Sequence, residues 1–514
     1  MNKKEITDYL HDCRWCNFKK EIEDERVKNI EFEKMPYDEG KKLFVIGKAE
    51  LEDGDVRYFS MPLAKKQEIT GEEKFLTIGG EMYTDALVEP DFWRSFMALM
   101  DKHDGFVKFD NGWFLEREDF LNPDIVDELK NEDSKALGVE QSNTTLNVGD
   151  GKLAFKLERM LEFSHEVNSE FEVNEKLMRE NCSVMPKSFG GFVLKKPNGE
   201  QASSGIMLEF VKNKGDMWNY LQDVLGWELK TNYLMQKDLK AEDNPEIMSM
   251  IRNLSEKTKE MSDCFSREDS NPNFTPEKVD ESFIRGYAKQ FEVLLYQTKR
   301  EISNSRNKLP AALRLRADKL LAVWDEKMPA FVNEKLDKVR ALDNKGTINR
   351  VHGDFHLGQV MVTEDNDLRF IDFAGEPALS MKERKQKYIH VRDIAGMYRS
   401  IKGYLGAVAV EDFTAQAPDE LSATRRKAWA EKAIKPLIDS ASRAFLGNKT
   451  MNNDPWLSLE VLRKNLYEVK YEVSFRPDMA YVPINGLFDL MNLDTPVAVN
   501  TNEVSLAKTG TERS

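Results

Sequence analysis

The sequence predicts an α+β chain in three successive parts: a β-rich N-terminal segment, a small mixed segment and a large helical one. Three observations predict this. Residues 1–100 carry short apolar runs broken by turn residues. Residues 101–212 mix such runs with an amphipathic helix. From residue 216 to 350 apolar residues recur at the helical period, with few strand signals.

Taken in order, "KLFVIGKAEL" and "VRYFSMPL" flank "EDGD", a hairpin signal, and "FLTIGGEMYTDAL" continues the pattern. "DFWRSFMALM" at 91–100 reads as a short amphipathic helix. "GFVKFDNGWFLER" turns at Asn111-Gly112, the dipeptide that tight hairpins favour. "TTLNVGDGKLAFKLERML" at 144–161 places two apolar strands around Gly149-Asp150-Gly151, and a helix follows through Glu172 and Leu177. "GIMLEFV" at 205–211 is one more buried strand. The polar stretch at 262–282, with two prolines, reads as a loop. The final stretch from residue 499 lacks apolar mass and is expected to be a disordered tail.

At 514 residues the chain is long enough for two to four domains. Its net charge of −15 disfavours contact with a phosphate backbone, so a nucleic-acid partner is not expected. No apolar run approaches the ~20 residues of a bilayer span, and the start has no apolar leader. A soluble cytoplasmic protein without a membrane partner is expected; the sequence does not give the oligomeric state. Cys13 and Cys16 form a C-x-x-C near His11, but a structural zinc site needs four ligands and no second pair exists. With Cys182 and Cys264 they are expected to be reduced thiols.

The densest chemistry lies at 350–359, "RVHGDFHLGQ", which holds two of the chain's six histidines. Gly353 and Gly358 argue against a regular helix carrying His352 and His356 on one face. Val360–Thr363 and Leu368–Phe373 read as strands around the turn 364–367. A hairpin symmetric about the Asp365–Asn366 bond sets Gln359 opposite Asp372, with Asp354 in the preceding loop. These are the parts of a phosphoryl-transfer loop. One carboxylate, Asp354, accepts or orients the proton of an attacking hydroxyl. An amide oxygen, Gln359, and a second carboxylate, Asp372, hold magnesium, a hard ion that prefers oxygen.

"HGDFHLGQV" followed by "FIDFAGEP" resembles the aminoglycoside phosphotransferase and choline-kinase-like superfamily, whose motif is H-G-D-x-H-x-x-N and a later Asp. Glutamine in the Asn place, "DFAGEP" and "RDIAGMYRS" at 392–400 resemble the maltokinase family within it. "CRWCNFKK", "RYFSMPLA", "EQSNTTLNVGDGKLAFKLERML", "LEFVKNKGDMWNYL" and "LYEVKYEVSFRPDMAYVPINGL" extend the resemblance over most of the chain. Ala374 replaces an acidic residue of that pattern, and Ser262 a histidine. The resemblance implies a bilobal protein-kinase-like fold. Its parts would be a cap domain at 1–100, an intermediate and nucleotide-binding lobe at 101–212, and a helical C-lobe at 213–498 with the catalytic loop and sugar site. It implies ATP and Mg2+ as cofactors and phosphorylation of maltose to maltose 1-phosphate, a reaction of trehalose and α-glucan (glycogen) metabolism. Glucosamine, another sugar or an aminoglycoside are alternative acceptors on the same fold. A nucleotide-binding pseudokinase is the reading from another class.

A kinase needs a cation on the ATP phosphates. Lys156 lies on the second strand of the 144–157 hairpin, opposite Thr144 or Thr145. Its ammonium then stands beside the "QSNTT" loop, where Ser142, Asn143, Thr144 and Thr145 would cover phosphate. The resemblance gives Glu172 as the helix glutamate that holds this lysine, with Glu170 second, and Glu209 to Val211 as the backbone that meets adenine. On the sugar side, Tyr467 with Tyr471 and Glu468 with Glu472 are each one helical turn apart. Glu468, Tyr471 and Arg476 are the candidate sugar contacts, and Glu376 is a further one. Asp393, Arg399 and His356 either bind sugar or brace the catalytic loop, and His356 is with Asp354 the candidate catalytic residue.

Overall fold

The computed structural model describes residues 3–70, 73–120, 124–138, 143–376 and 379–493. The chain divides into two compact units. One comprises Met1–Lys212 with Asp372–Arg384, the other Asn213–Ile371 with Lys385–Ser514. Among the described residues no helix is long and apolar enough to cross a membrane.

The first unit holds two antiparallel sheets. In the first sheet, strands Val27–Tyr37, Lys42–Leu51, Val56–Lys66, Glu81–Asp85 and Leu76–Ile78 lie side by side, and Met160–Leu161 pairs with the third. The "EDGD" turn joins Lys42–Leu51 to Val56–Lys66, and Gly79-Gly80, both with positive φ, joins the last pair. The second sheet runs in the order Phe106–Lys108, Phe114–Asp119, Ser188–Lys195, Gln201–Glu209, Leu153–Glu158, Asn143–Val148, Ser134–Ala136. Gly149, Asp150 and Gly151 all take positive φ at the hairpin that carries Lys156, which is why glycines flank this turn.

Helix Phe92–Lys102 joins the two sheets into one core. Its Phe96 ring lies 5.5 Å from Phe44 of the first sheet and 4.9 Å from Phe192 of the second. Trp93, fully buried, donates from its indole nitrogen to Leu129 O at 2.9 Å, so a large apolar side chain is buried without stranding its one donor. Burying a side chain of this size contributes roughly 2–3 kcal/mol. The β-rich reading of residues 1–100 left out helix Lys3–Asp12, whose Ile6 and Leu10 pack with Phe18 and Phe59.

The second unit is helical. Its long helices are Met217–Met235, Pro245–Phe265, Glu281–Ser305, Ala311–Arg340, Glu420–Leu446 and Pro455–Phe475. Leu320, Trp324, Leu466 and Val469 lie in its core. The loop expected at 262–282 is shorter: helix runs to Phe265, and a two-residue strand, Glu277–Lys278, precedes the helix that starts at Glu281. Helix Val391–Arg399 continues into the π-helical turn Ser400–Leu405 and then helix Gly406–Ala415. The expected tail from residue 499 lies outside the described residues.

Candidate active site

The candidate residues fall in both units, and each unit builds its own constellation. In the first, Lys156 sits at the middle of strand Leu153–Glu158, paired with Thr145 on one side and Ile206 on the other. Of the two partners read from the sequence, Thr145 is the one found. Lys156 Nζ lies 2.9 Å from Glu170 Oε2, 3.2 Å from Glu170 Oε1 and 3.1 Å from Asp372 Oδ1. Burial alone would lower the pKa of this ammonium. The carboxylates of Glu170, Asp372 and Glu158 outweigh it, so the lysine is held charged.

The lysine's partner is therefore Glu170 and not Glu172. Asn168 caps helix Ser169–Arg179, its Oδ1 accepting from the amides of Glu170 and Phe171. That cap fixes the helix phase. Residues two apart lie about 200° around a helix, so once Glu170 faces the lysine, Glu172 cannot. Glu158, next but one to Lys156, is pushed up to about 7, first by burial and then by Glu170, against the pull of Lys156.

Asp372 has φ 65°, a left-handed conformation that costs an aspartate free energy and turns the chain after Ile371. Glu376 is buried, and its Oε1 has no hydrogen-bond partner among the described residues. Of the residues expected to cover phosphate, Ser142 lies outside the described residues, and Asn143 starts the strand that Thr144 and Thr145 continue. Thr144 Oγ1 accepts from Arg159 Nε at 3.0 Å. Glu209 closes strand Gln201–Glu209, and its amide donates to Lys187 O at 2.7 Å, with Val211 two residues beyond.

In the second unit the loop 350–356 links strand Thr347–Asn349 to the short 3-10 turn Leu357–Gln359. The hairpin that follows pairs Val360 with Phe370, Met361 with Arg369 and Val362 with Leu368. This is one residue off the register expected from symmetry about the Asp365–Asn366 bond. The loop has three residues, Glu364 to Asn366, and Asn366 takes φ 64°, so the hairpin is centred on Asp365. Gln359 consequently faces Ile371, whose amide donates to Gln359 O at 3.0 Å, and Asp372 is not its cross-strand partner.

Asp393 braces this loop. Its two oxygens accept from the amides of His352 (2.8 Å) and Gly353 (3.0 Å). Burial raises its pKa, and these two N–H groups pull the other way. His352 Nε2 lies 3.0 Å from Ile371 O, so Nε2 carries the proton. Gly396 lets helix Val391–Arg399 close on the loop: a Cβ there would stand 2.7 Å from Phe355 O. Ser400 Oγ accepts from the Leu357 amide at 3.2 Å. Asp354 is left partly open at the loop's crest, 3.6 Å from Lys464 Nζ and 3.9 Å from His356 Nε2. His356 Nδ1 accepts from Gly358 N at 3.1 Å, which fixes the ring.

The sugar candidates are largely occupied with one another. Arg399 Nε donates to Glu468 Oε2 at 2.8 Å, a pair that is almost wholly buried. Glu472 accepts from Tyr404 Oη at 3.2 Å and from Arg476 at 2.6 Å. Tyr471 is 39% exposed, between Tyr467 and Phe475. The helix carrying them is Pro455–Phe475. Lys464, which sequence reasoning missed, is its nearest charged approach to Asp354. The signal available was its position one turn before Glu468.

Among the described residues no three or more His, Cys, Asp or Glu side chains converge as a metal site. The donors proposed for magnesium, a Gln359 amide oxygen and the Asp372 carboxylate, are hard oxygens. They belong to different compact units, and each offers an oxygen of the kind a hard cation prefers.

No family model matches the chain. Its fold is kinase-like. A glucosamine kinase solved with glucosamine, ADP and inorganic phosphate matches it at TM-score 0.56 and 18% identity, over 90% of this chain and 94% of that one. A second crystal form of glucosamine kinase matches at 0.57 and 18% identity, over 91% and 95%. At this identity the likeness defines the fold, an α+β bilobal kinase type, over nearly the whole chain.

Proposed function

We propose that the chain is an ATP-dependent sugar kinase that phosphorylates maltose at its anomeric hydroxyl. The observation that carries the reading is Lys156, held charged on a hairpin strand by Glu170 and Asp372. A partly buried cation with a carboxylate behind it is what a triphosphate-binding site requires. In this reading residues 1–100 form a cap, 101–212 the nucleotide lobe and 213–498 the catalytic lobe, in a cytoplasmic enzyme.

Asp354 accepts or orients the proton of the attacking hydroxyl, and its partly open carboxylate beside Lys464 suits that role. His356 flanks it. Asp393 and Ser400 hold the loop still, so that the base keeps its position through the reaction. Gln359 and Asp372 would hold Mg2+, which when bound neutralises phosphate charge. Asn143 to Thr145 and the backbone from Glu209 to Val211 serve the nucleotide. Tyr471, Arg476 and Glu376 remain the sugar candidates with atoms or faces not spent on a buried pair.

Glucosamine is the second acceptor, favoured by the likeness of the whole chain to a kinase solved with that sugar. A panel of sugars with Mg-ATP, with products identified by phosphorus NMR, separates the readings. Maltose 1-phosphate supports the first, and a 6-phosphate of an amino sugar selects the second. Nucleotide binding with no transfer to any sugar overturns both.

A further inference from the structure

The helical unit holds a cavity of about 240 Å3 that shares no lining residue with the constellation around Asp354. Its bed is main chain and short or aliphatic side chains: Gly406, Ala407, Val410 and Ile434. Its rim is polar and internally compensated. Lys402 pairs with Asp439. Lys427 and Glu431 stand one turn apart on helix Glu420–Leu446, where burial lowers the lysine and raises the glutamate. Tyr481 hydrogen-bonds Glu411.

Three features define the ligand. The volume is below the roughly 300–1,000 Å3 of drug-sized sites, so the ligand is about one ring in size. Each rim lysine has a carboxylate neighbour, so the rim offers donors and acceptors without the strong field that would select a phosphate or a free ion. The apolar bed offers a surface for C–H groups. A ring with an apolar face and hydroxyls around its edge meets all three.

The cavity is separate from the catalytic carboxylate. Neither Asp354, His356 nor Lys464 lines it. One wall is the π-helical turn Ser400–Leu405, through Lys402 and Gly403. Single π-helical turns recur at functional sites, and here the same turn gives Ser400 to the catalytic loop.

We propose that this cavity is a second small-molecule site that binds a neutral monosaccharide of hexose size, apart from the acceptor position at Asp354.

Equilibrium dialysis of the full chain with radiolabelled glucose tests it. The expected result is saturable glucose binding that survives Lys464→Ala and weakens at least tenfold in Ala407→Leu, which fills the bed, and in Glu431→Gln on the rim. If Ala407→Leu does not fold, Glu431→Gln reads the same loss. Glucose binding abolished by Lys464→Ala but intact in Glu431→Gln overturns the proposal, because the sugar then sits only at the acceptor position. No saturable binding to the wild type overturns it as well. The assay reads no phosphoryl transfer, so it decides the cavity's role even for a chain without kinase activity.

Discussion

Lys156 Nζ stands 2.9 Å from Glu170 Oε2, and this pair, not one with Glu172, ties strand Leu153–Glu158 to helix Ser169–Arg179. The consequence is a contrast between two neighbouring glutamates. Glu170→Gln leaves a partly buried ammonium with one carboxylate fewer, and the cost of breaking such a pair is of order 3 kcal/mol. We expect kcat/KM for ATP to fall about a hundredfold in Glu170→Gln. Glu172→Gln should stay within about threefold of the wild type. Steady-state kinetics on the two variants checks it, and equal losses would return the role to Glu172.

Asp354 is the second test. Asp354→Asn keeps the shape of the loop but removes the proposed proton acceptor. Turnover should drop by several orders of magnitude while ATP affinity, measured by nucleotide titration, stays nearly unchanged. Lys464→Ala removes the cation 3.6 Å away and should lower turnover by a smaller factor, about ten. A variant Asp354→Asn within tenfold of the wild type removes this carboxylate from the mechanism.

What the sequence disclosed and what it hid follow from range. The turns at 52–55, Asn111-Gly112 and Gly149–Gly151 were legible because positive φ demands particular residues locally. The 360–370 hairpin was legible as a hairpin but not in register. A two-residue and a three-residue loop fit the same "EDND", and only Asn366 in the left-handed region decides between them. Glu170 against Glu172 was a question of helix phase, set by a cap at Asn168. Lys464 beside Asp354 and Ser400 beside Leu357 join residues 110 and 43 apart in sequence, and no local pattern encodes such contacts.

Glu158 gives a pH prediction. Its folded-state pKa of about 7 lies above the ordinary 4.5, because burial and Glu170 disfavour the charged form. Between these values the native state binds more protons than the unfolded one. Stability is therefore highest below about pH 4.5 as far as this group is concerned, and falls as pH rises to about 7. The carboxylate is partly reached by water, so the loss is of order 1–2 kcal/mol. Glu158→Gln should flatten this decline. Denaturant midpoints at pH 5 and pH 8 should differ less in the variant than in the wild type, with the gain at pH 8. No gain at pH 8 would mean that Lys156 holds Glu158 ionised.

The pair Arg399–Glu468 changes what a sugar-site mutation should do. Read from the sequence, Glu468→Gln should raise KM for the sugar ten- to hundredfold and leave stability alone. In the structure both side chains are less than a tenth exposed and bonded to each other at 2.7–2.8 Å. A Cβ on Gly403 would lie 3.1 Å from the guanidinium and one on Gly486 2.9 Å, so the arginine is enclosed and cannot swing to water. Glu468→Gln then strands a buried positive charge, which costs about 3–5 kcal/mol. The expected outcome is a lower melting temperature, with kcat and both Michaelis constants moving together, because Ser400 of the catalytic loop's brace follows Arg399 directly in the chain. Arg399→Met combined with Glu468→Met should recover much of the lost stability, since neither charge is left alone. A Glu468→Gln variant that melts like the wild type and changes only the sugar KM would restore Glu468 to the sugar.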